Sequence, residues 1–138
     1  MSFQFSLTSK RRREGVEQPL IEISDYAIGI SLIDFGISED GGLRSAERQH
    51  ELFKLRRSLC DGYENKSYHQ TGKALDVYAF IDGHASWEPE HLTMVACAML
   101  QAASHLGYKL EWGGLWKPPK VLNGIPRGWD MPHFQLVE

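Results

Sequence analysis

The chain has 138 residues, of which 42% are hydrophobic and 24% charged, enough apolar material for one folded core and too balanced a mixture for intrinsic disorder. Fifteen Lys and Arg against eighteen Asp and Glu give a net charge of -3, so no basic footprint for nucleic acid is present. The longest apolar stretches, near residues 27–33 and 94–100, fall well short of the roughly 18 residues that a membrane span needs.

In chain order, the first residues show neither the apolar region nor the cleavage site of a secretory signal, which predicts cytoplasmic synthesis. The basic run at residues 10–13 reads as a solvated segment. Val16, Leu20, Ile23, Ala27 and Ile30 recur at spacings of four and three and mark one helix face, with Pro19 suited to the first turn. Residues 35–38 form a short strand candidate, Gly41-Gly42 a turn, and Ser45 an N-cap for a helix through about Leu59, which puts Arg44 at a strand-to-helix corner. After a polar, turn-rich stretch, residues 74–81 are strand-like, with Asp76 intruding on an apolar run, and Asp82-Gly83 is a turn. Ser86 is the expected cap of a helix that carries Glu88 and Glu90 at its positive end and stops at Gly107. Two more strands, 109–112 and 133–137, flank a Gly- and Pro-rich loop in which Pro118, Pro119 and Pro126 supply stiffness. The pattern predicts a single α+β domain over residues 1–138. Cys60 and Cys97, without a CxxC pattern, are expected to be reduced and buried as small apolar residues.

The chemistry concentrates in two places. His69 and Asp76 are separated by a turn containing Gly72, and His133 opens the final strand three residues after Asp130. Catalytic zinc usually takes three protein ligands from His and carboxylate and keeps a fourth position for water. His69, Asp76 and His133 fit that count, and Gly72 permits the close chain reversal that would bring the first two together. Taken singly, each residue has an ordinary structural use: a satisfied histidine, a turn aspartate, or a surface ion pair for Arg44.

Ser-x-His-x-x-Gly-x-Ala-x-Asp, here Ser67 to Asp76, followed by Asp-x-x-His-Phe-x-Leu, here Asp130 to Leu136, resembles the zinc peptidase family of D-alanyl-D-alanine carboxypeptidases and L-alanyl-D-glutamate endopeptidases. The likeness continues through Gly42-Leu43-Arg44-Ser45 with Gln49, Trp87, and Trp112-Gly113-Gly114-x-Trp116, and so spans residues 15–137. It implies a hedgehog/D-Ala-D-Ala peptidase-like fold, with a short, mainly antiparallel sheet carrying the zinc site and helices flanking it. It also implies Zn2+ on His69, Asp76 and His133, Asp130 as general base, and Arg44 polarising the scissile carbonyl. The substrate implied is the peptidoglycan stem peptide. Small, signal-less members of the family include phage and prophage endolysins, and this subgroup implies a monomer made in the bacterial host cytoplasm that reaches the cell wall through a phage membrane pore.

Cleavage between L-Ala and D-Glu is the favoured activity, with D-alanyl-D-alanine carboxypeptidase as the alternative. A non-catalytic zinc-containing cell-wall-binding module is a further alternative, against which Asp130 argues, because a structural metal site needs no base beside it. Ser67 is open to two uses, a ligand or substrate contact and a turn hydrogen bond. Trp112, Trp116 and Trp129 are likewise open to lining a substrate groove or to packing. The chain departs from the resemblance at Leu115, where many relatives carry an acidic residue.

Overall fold

The computed structural model describes residues 2–116, 121–122, 125–126 and 128–137. Its helices are α1 Leu7–Arg12, α2 Gln18–Ile30, α3 Ala46–Lys54 and α4 Pro89–Leu106, and its strands are β1 Asp34–Ile37, β2 Ala74–Ile81, β3 His84–Ser86, β4 Leu110–Trp112, β5 Val121–Leu122, β6 Ile125–Pro126 and β7 His133–Leu136. The main sheet runs β1-β2-β7-β4 with β3 also paired to β2, and β5 and β6 form a separate ribbon. All pairings are antiparallel. This is the α+β architecture that the sequence implies.

Strand periodicity separates core from chemistry. Leu75, Val77 and Ala79 of β2 are fully buried and join α2 and α4 in one apolar cluster with Phe134 of β7. Side chains alternate across a strand, so Asp76, Tyr78 and Phe80 face the other way. Asp76 pairs directly with His133 across β2 and β7, which places both on that second face.

Val16, expected on the face of helix α2, precedes the helix and is buried from the incoming loop. The helix runs from Gln18 to Ile30 with Pro19 in its first turn, as expected, and is capped by Ser31. Its inward face is Leu20, Ile23, Ala27 and Ile28; Ile30 is 37% exposed, because the helix terminates there beyond the reach of the core. Helix α3 stops at Lys54, short of Leu59. Leu55 and Leu59 are exposed, so no packing sustains another turn, and Arg56 takes a positive φ of 59° that reverses the chain. Ser86 is a residue of β3, and the cap of α4 is Glu88 followed by Pro89. Ser86 nevertheless guides that helix start: its Oγ accepts from Glu88 N and lies 2.7 Å from His91 Nδ1.

Two further expectations are corrected. The basic run is largely helix α1 and only partly solvated: Arg13 is buried against Ser24 and Asp25, and Arg12 donates to Ile37 O. The positive charges thus join α1 to α2 and β1. Cys97 is exposed and Cys60 half-buried, both as free thiols, because Cys97 falls on the outward stripe of α4 and Cys60 on the loop after α3. Residues 118 and 119 of the proline-stiffened loop lie outside the described residues, whereas Pro126 belongs to β6.

Candidate metal centre

Ser67 and the 310 turn Tyr68–Thr71 bring His69 to the sheet. Ser67 Oγ accepts from His69 N, Gln70 Oε1 accepts from Ser67 N, and Gly72 closes the turn at φ 72°. A Cβ at Gly72 would lie 2.9 Å from Gly15 O, so the reversal needs glycine on both counts. The turn hydrogen bond, one of the two uses open to Ser67, is therefore present, and Ser67 also lines the adjoining cleft.

His69, Asp76 and His133 each offer one ligand atom, and these atoms lie within 4.8 Å of one another. His69 is 2% exposed. Its Nδ1 is 2.9 Å from the carbonyl oxygen of Gly42; a carbonyl only accepts, so Nδ1 carries the proton and Nε2 presents a bare lone pair. That Nε2 is buried without a hydrogen-bond partner, although Asp76 Oδ1 lies 3.3 Å away. His133 Nδ1 approaches the same oxygen at 3.0 Å, while its Nε2 contacts Gln135 Oε1 at 2.9 Å. Two imidazole nitrogens thus converge on one carboxylate oxygen, and a buried lone pair aimed at an acceptor is costly without a cation between them. The donor set, nitrogen and carboxylate oxygen, suits zinc.

Burial opposes the charge of Asp76, but with no cation between the groups, protons on the facing nitrogens of His69 and His133 outweigh burial and hold its carboxyl well below the usual carboxylate range; a metal ion at that point takes the place of those protons. Burial also disfavours the imidazolium of His133, but the Asp76 carboxylate raises its pKa above the ordinary value. Asp130 differs. Burial and the neighbouring Asp76 charge push its carboxyl up to about 6, and its Oδ2 stands 3.8 Å from His133 Nδ1. Gly113 makes that placement possible, because a Cβ there would fall 2.1 Å from Asp130 O.

Arg44 sits beside the group with its side chain 11% exposed. Its Nε donates to Asp40 O at 2.7 Å, Nη1 to Gln49 Oε1 at 3.1 Å and Nη2 to Asp76 Oδ2 at 3.1 Å. Gln49, fully buried, is anchored in turn by donating to Ser58 Oγ and Cys60 O. Arg44 therefore both steadies Asp76 and opens on a cleft of about 570 Å³ that His69, Asp76, Asp130, His133, Trp116 and Trp129 also line.

Trp116 meets His133 and Trp129 in tilted ring contacts, with centroids 5.1 and 5.5 Å apart, and Trp116 and Trp129 wall the cleft. Trp112 does not. It is 4% exposed, donates from Nε1 to Met131 O at 2.6 Å and stacks on Phe134; the pleat turns it toward the core, which corrects the expectation that it contacts substrate. Leu115, 53% exposed, is not among the cleft walls. Sequence reasoning did not single out the Gly42 carbonyl or Gln135 as functional. A period-two count from His133 would have placed Gln135 on the same face, whereas nothing in the sequence marks the carbonyl.

The profile of the family described as phage L-alanyl-D-glutamate peptidase matches residues 1–137. The chain belongs to that family. The L-alanyl-D-glutamate peptidase of Escherichia phage T5 is 31% identical over 140 residues, covering 99% of this chain and 100% of the phage enzyme. The crystal structure of the Serratia marcescens L-Ala D-Glu endopeptidase ChiX superimposes with a TM-score of 0.79 at 36% identity, over 99% of this chain and 91% of that one. The family fold and the resemblance carried by the Ser67–Asp76 and Asp130–Leu136 motifs therefore agree.

Proposed function

We propose that this chain, as one peptidase domain, is a zinc-dependent L-alanyl-D-glutamate endopeptidase of the phage endolysin type, cutting the peptidoglycan stem between L-Ala and D-Glu. The observation that carries the zinc assignment is the convergence of two imidazole nitrogens, one buried and unpartnered, on Asp76 at the floor of an open cleft. Zinc bound there supplies a Lewis acid and lowers the pKa of water toward ~7. The chain's own residues do the rest. Asp130, beside His133 but outside the ligand group, takes the proton of the attacking water and returns it to the leaving amine, a contribution of roughly 10²–10⁴-fold. Among the described residues, three of the five N–H groups of Arg44 are engaged, leaving two for the oxygen on which charge develops as the carbonyl is attacked. Trp116 and Trp129 wall the cleft against the stem peptide, and Ser67 lies at its edge.

One chain supplies every residue of this site, which supports action as a monomer. No described helix is long and apolar enough to cross a membrane, and release to the cell wall through a phage membrane pore accords with that. The test is mass spectrometry of purified peptidoglycan after digestion, with and without chelator. New L-Ala carboxyl and D-Glu amino termini, formed only when zinc is present, are expected. New termini at D-Ala, or undiminished cleavage after zinc is stripped, would overturn the reading.

A further inference from the structure

The second face of the sheet continues past the ligand group. Along β7, Gln135 lies two residues beyond His133 and on the same face, and Glu111 of β4 stands directly across from Gln135. Gln135 Nε2 donates to Glu111 Oε2 at 3.3 Å, and Gln135 Oε1 contacts His133 Nε2 at 2.9 Å. A line of side chains thus runs from an exposed carboxylate on the edge strand, through one amide, to the imidazole that closes the metal site.

We infer that Glu111 and Gln135 are positioning residues that fix which nitrogen of His133 is offered to the metal. The reasoning rests on the zinc reading above and on what each group can donate. An amide can face His133 in two ways. With Oε1 toward the ring, it requires a proton on Nε2 and frees Nδ1, the nitrogen 3.0 Å from Asp76 Oδ1. With its NH2 toward the ring, it requires a bare Nε2, and the proton then sits on Nδ1 in the way of a metal. A carboxylate has only acceptors. Glu111 therefore accepts the NH2 end of Gln135 and disfavours the reversed amide, in which two oxygens would meet. The edge strand selects the amide orientation, the amide selects the tautomer, and the tautomer selects the ligand atom. Partners of this kind around a ligating imidazole are typically worth 10–100-fold in metal affinity.

The same logic makes the device exchangeable. If donors and acceptors are what matter, swapping the acid and the amide between the two positions preserves the line, because the carboxylate then accepts from His133 Nε2–H and the amide donates to the carboxylate. The experiment measures zinc affinity of the whole chain by competition with a chromophoric chelator at neutral pH. It compares the parent, Gln135→Met, and the double variant Glu111→Gln with Gln135→Glu, and records melting of each zinc-stripped protein as a check on folding. The expected result is zinc binding weakened about 10- to 100-fold in Gln135→Met and recovered to within about threefold of the parent in the double variant. Gln135→Met within threefold of the parent would overturn the inference, and so would a double variant as weak as Gln135→Met. A parent that binds no zinc would instead remove the functional reading itself, so the two failures are distinguishable.

Discussion

Replacing Asp130 by Asn should separate the proposed proton transfer from metal holding. The amide nearly matches the carboxylate in shape but cannot take up the water proton. The turn that presents the residue is made by its backbone: Asp130 O accepts from His133 N at 3.2 Å and Asp130 N donates to Gly113 O at 3.4 Å, and neither bond involves the side chain. The carboxylate comes no closer to His133 Nδ1 than 3.8 Å, beyond hydrogen-bond reach. Among the described residues no bond is therefore lost, and His69, Asp76 and His133 keep their places. Burial and the Asp76 charge work against the ionised form of Asp130, so the neutral amide should leave melting of zinc-stripped protein unchanged or slightly raised. The whole loss falls on the chemical step. At about 1.4 kcal/mol per tenfold, a general base worth 10²–10⁴-fold corresponds to roughly 3–5.5 kcal/mol of barrier. The assay follows release of new termini from purified peptidoglycan with time, with zinc content measured on the same preparations. Turnover within a few-fold of the parent would refute the role of Asp130, and zinc lost together with activity would refute its separation from the metal site.

Arg44→Lys should lower turnover on the order of 10²-fold with zinc still bound, because an ammonium cannot reproduce a fork that serves Asp40 O, Gln49 and Asp76 at once; near-parent turnover would make Arg44 a corner residue only. Trp112→Ala should cost about 3–5 kcal/mol in urea unfolding, since it empties the core and strands the Met131 carbonyl. Trp129→Ala, at a position 60% exposed, should leave stability within about 0.5 kcal/mol and raise KM roughly 2- to 10-fold through lost aromatic contact. Asp40 supplies a pH signature: its hydrogen bonds with Arg48 hold its carboxyl below the ordinary 3.8, so its stabilisation is present above that value and is lost as pH falls through the lower folded one. The urea midpoint of Asp40→Asn should accordingly fall less steeply than the parent's on acidification below about pH 4.

Local chemistry sufficed for much of the fold and for the metal-site candidates. The spacing from Leu20 to Ala27 dictates helix α2, the alternation around Asp76 dictates β2, and the Gly72 turn joins His69 to that strand, because these features rest on contacts between residues near in sequence. The ligand types and their order along the chain are likewise sequence properties. Other outcomes depend on neighbours that sequence distance hides. Which way Trp112 points was decided by the register of β4 on β7, and where α3 ends was decided by the absence of anything for Leu55 and Leu59 to pack against. The burial of Arg13 depends on α2 lying beside α1. Above all, the protonation of the two histidines is tertiary: Gly42, 27 residues before His69, and Glu111, 24 before Gln135, determine which nitrogens are bare, because a hydrogen bond is specified by where its partner lies in space.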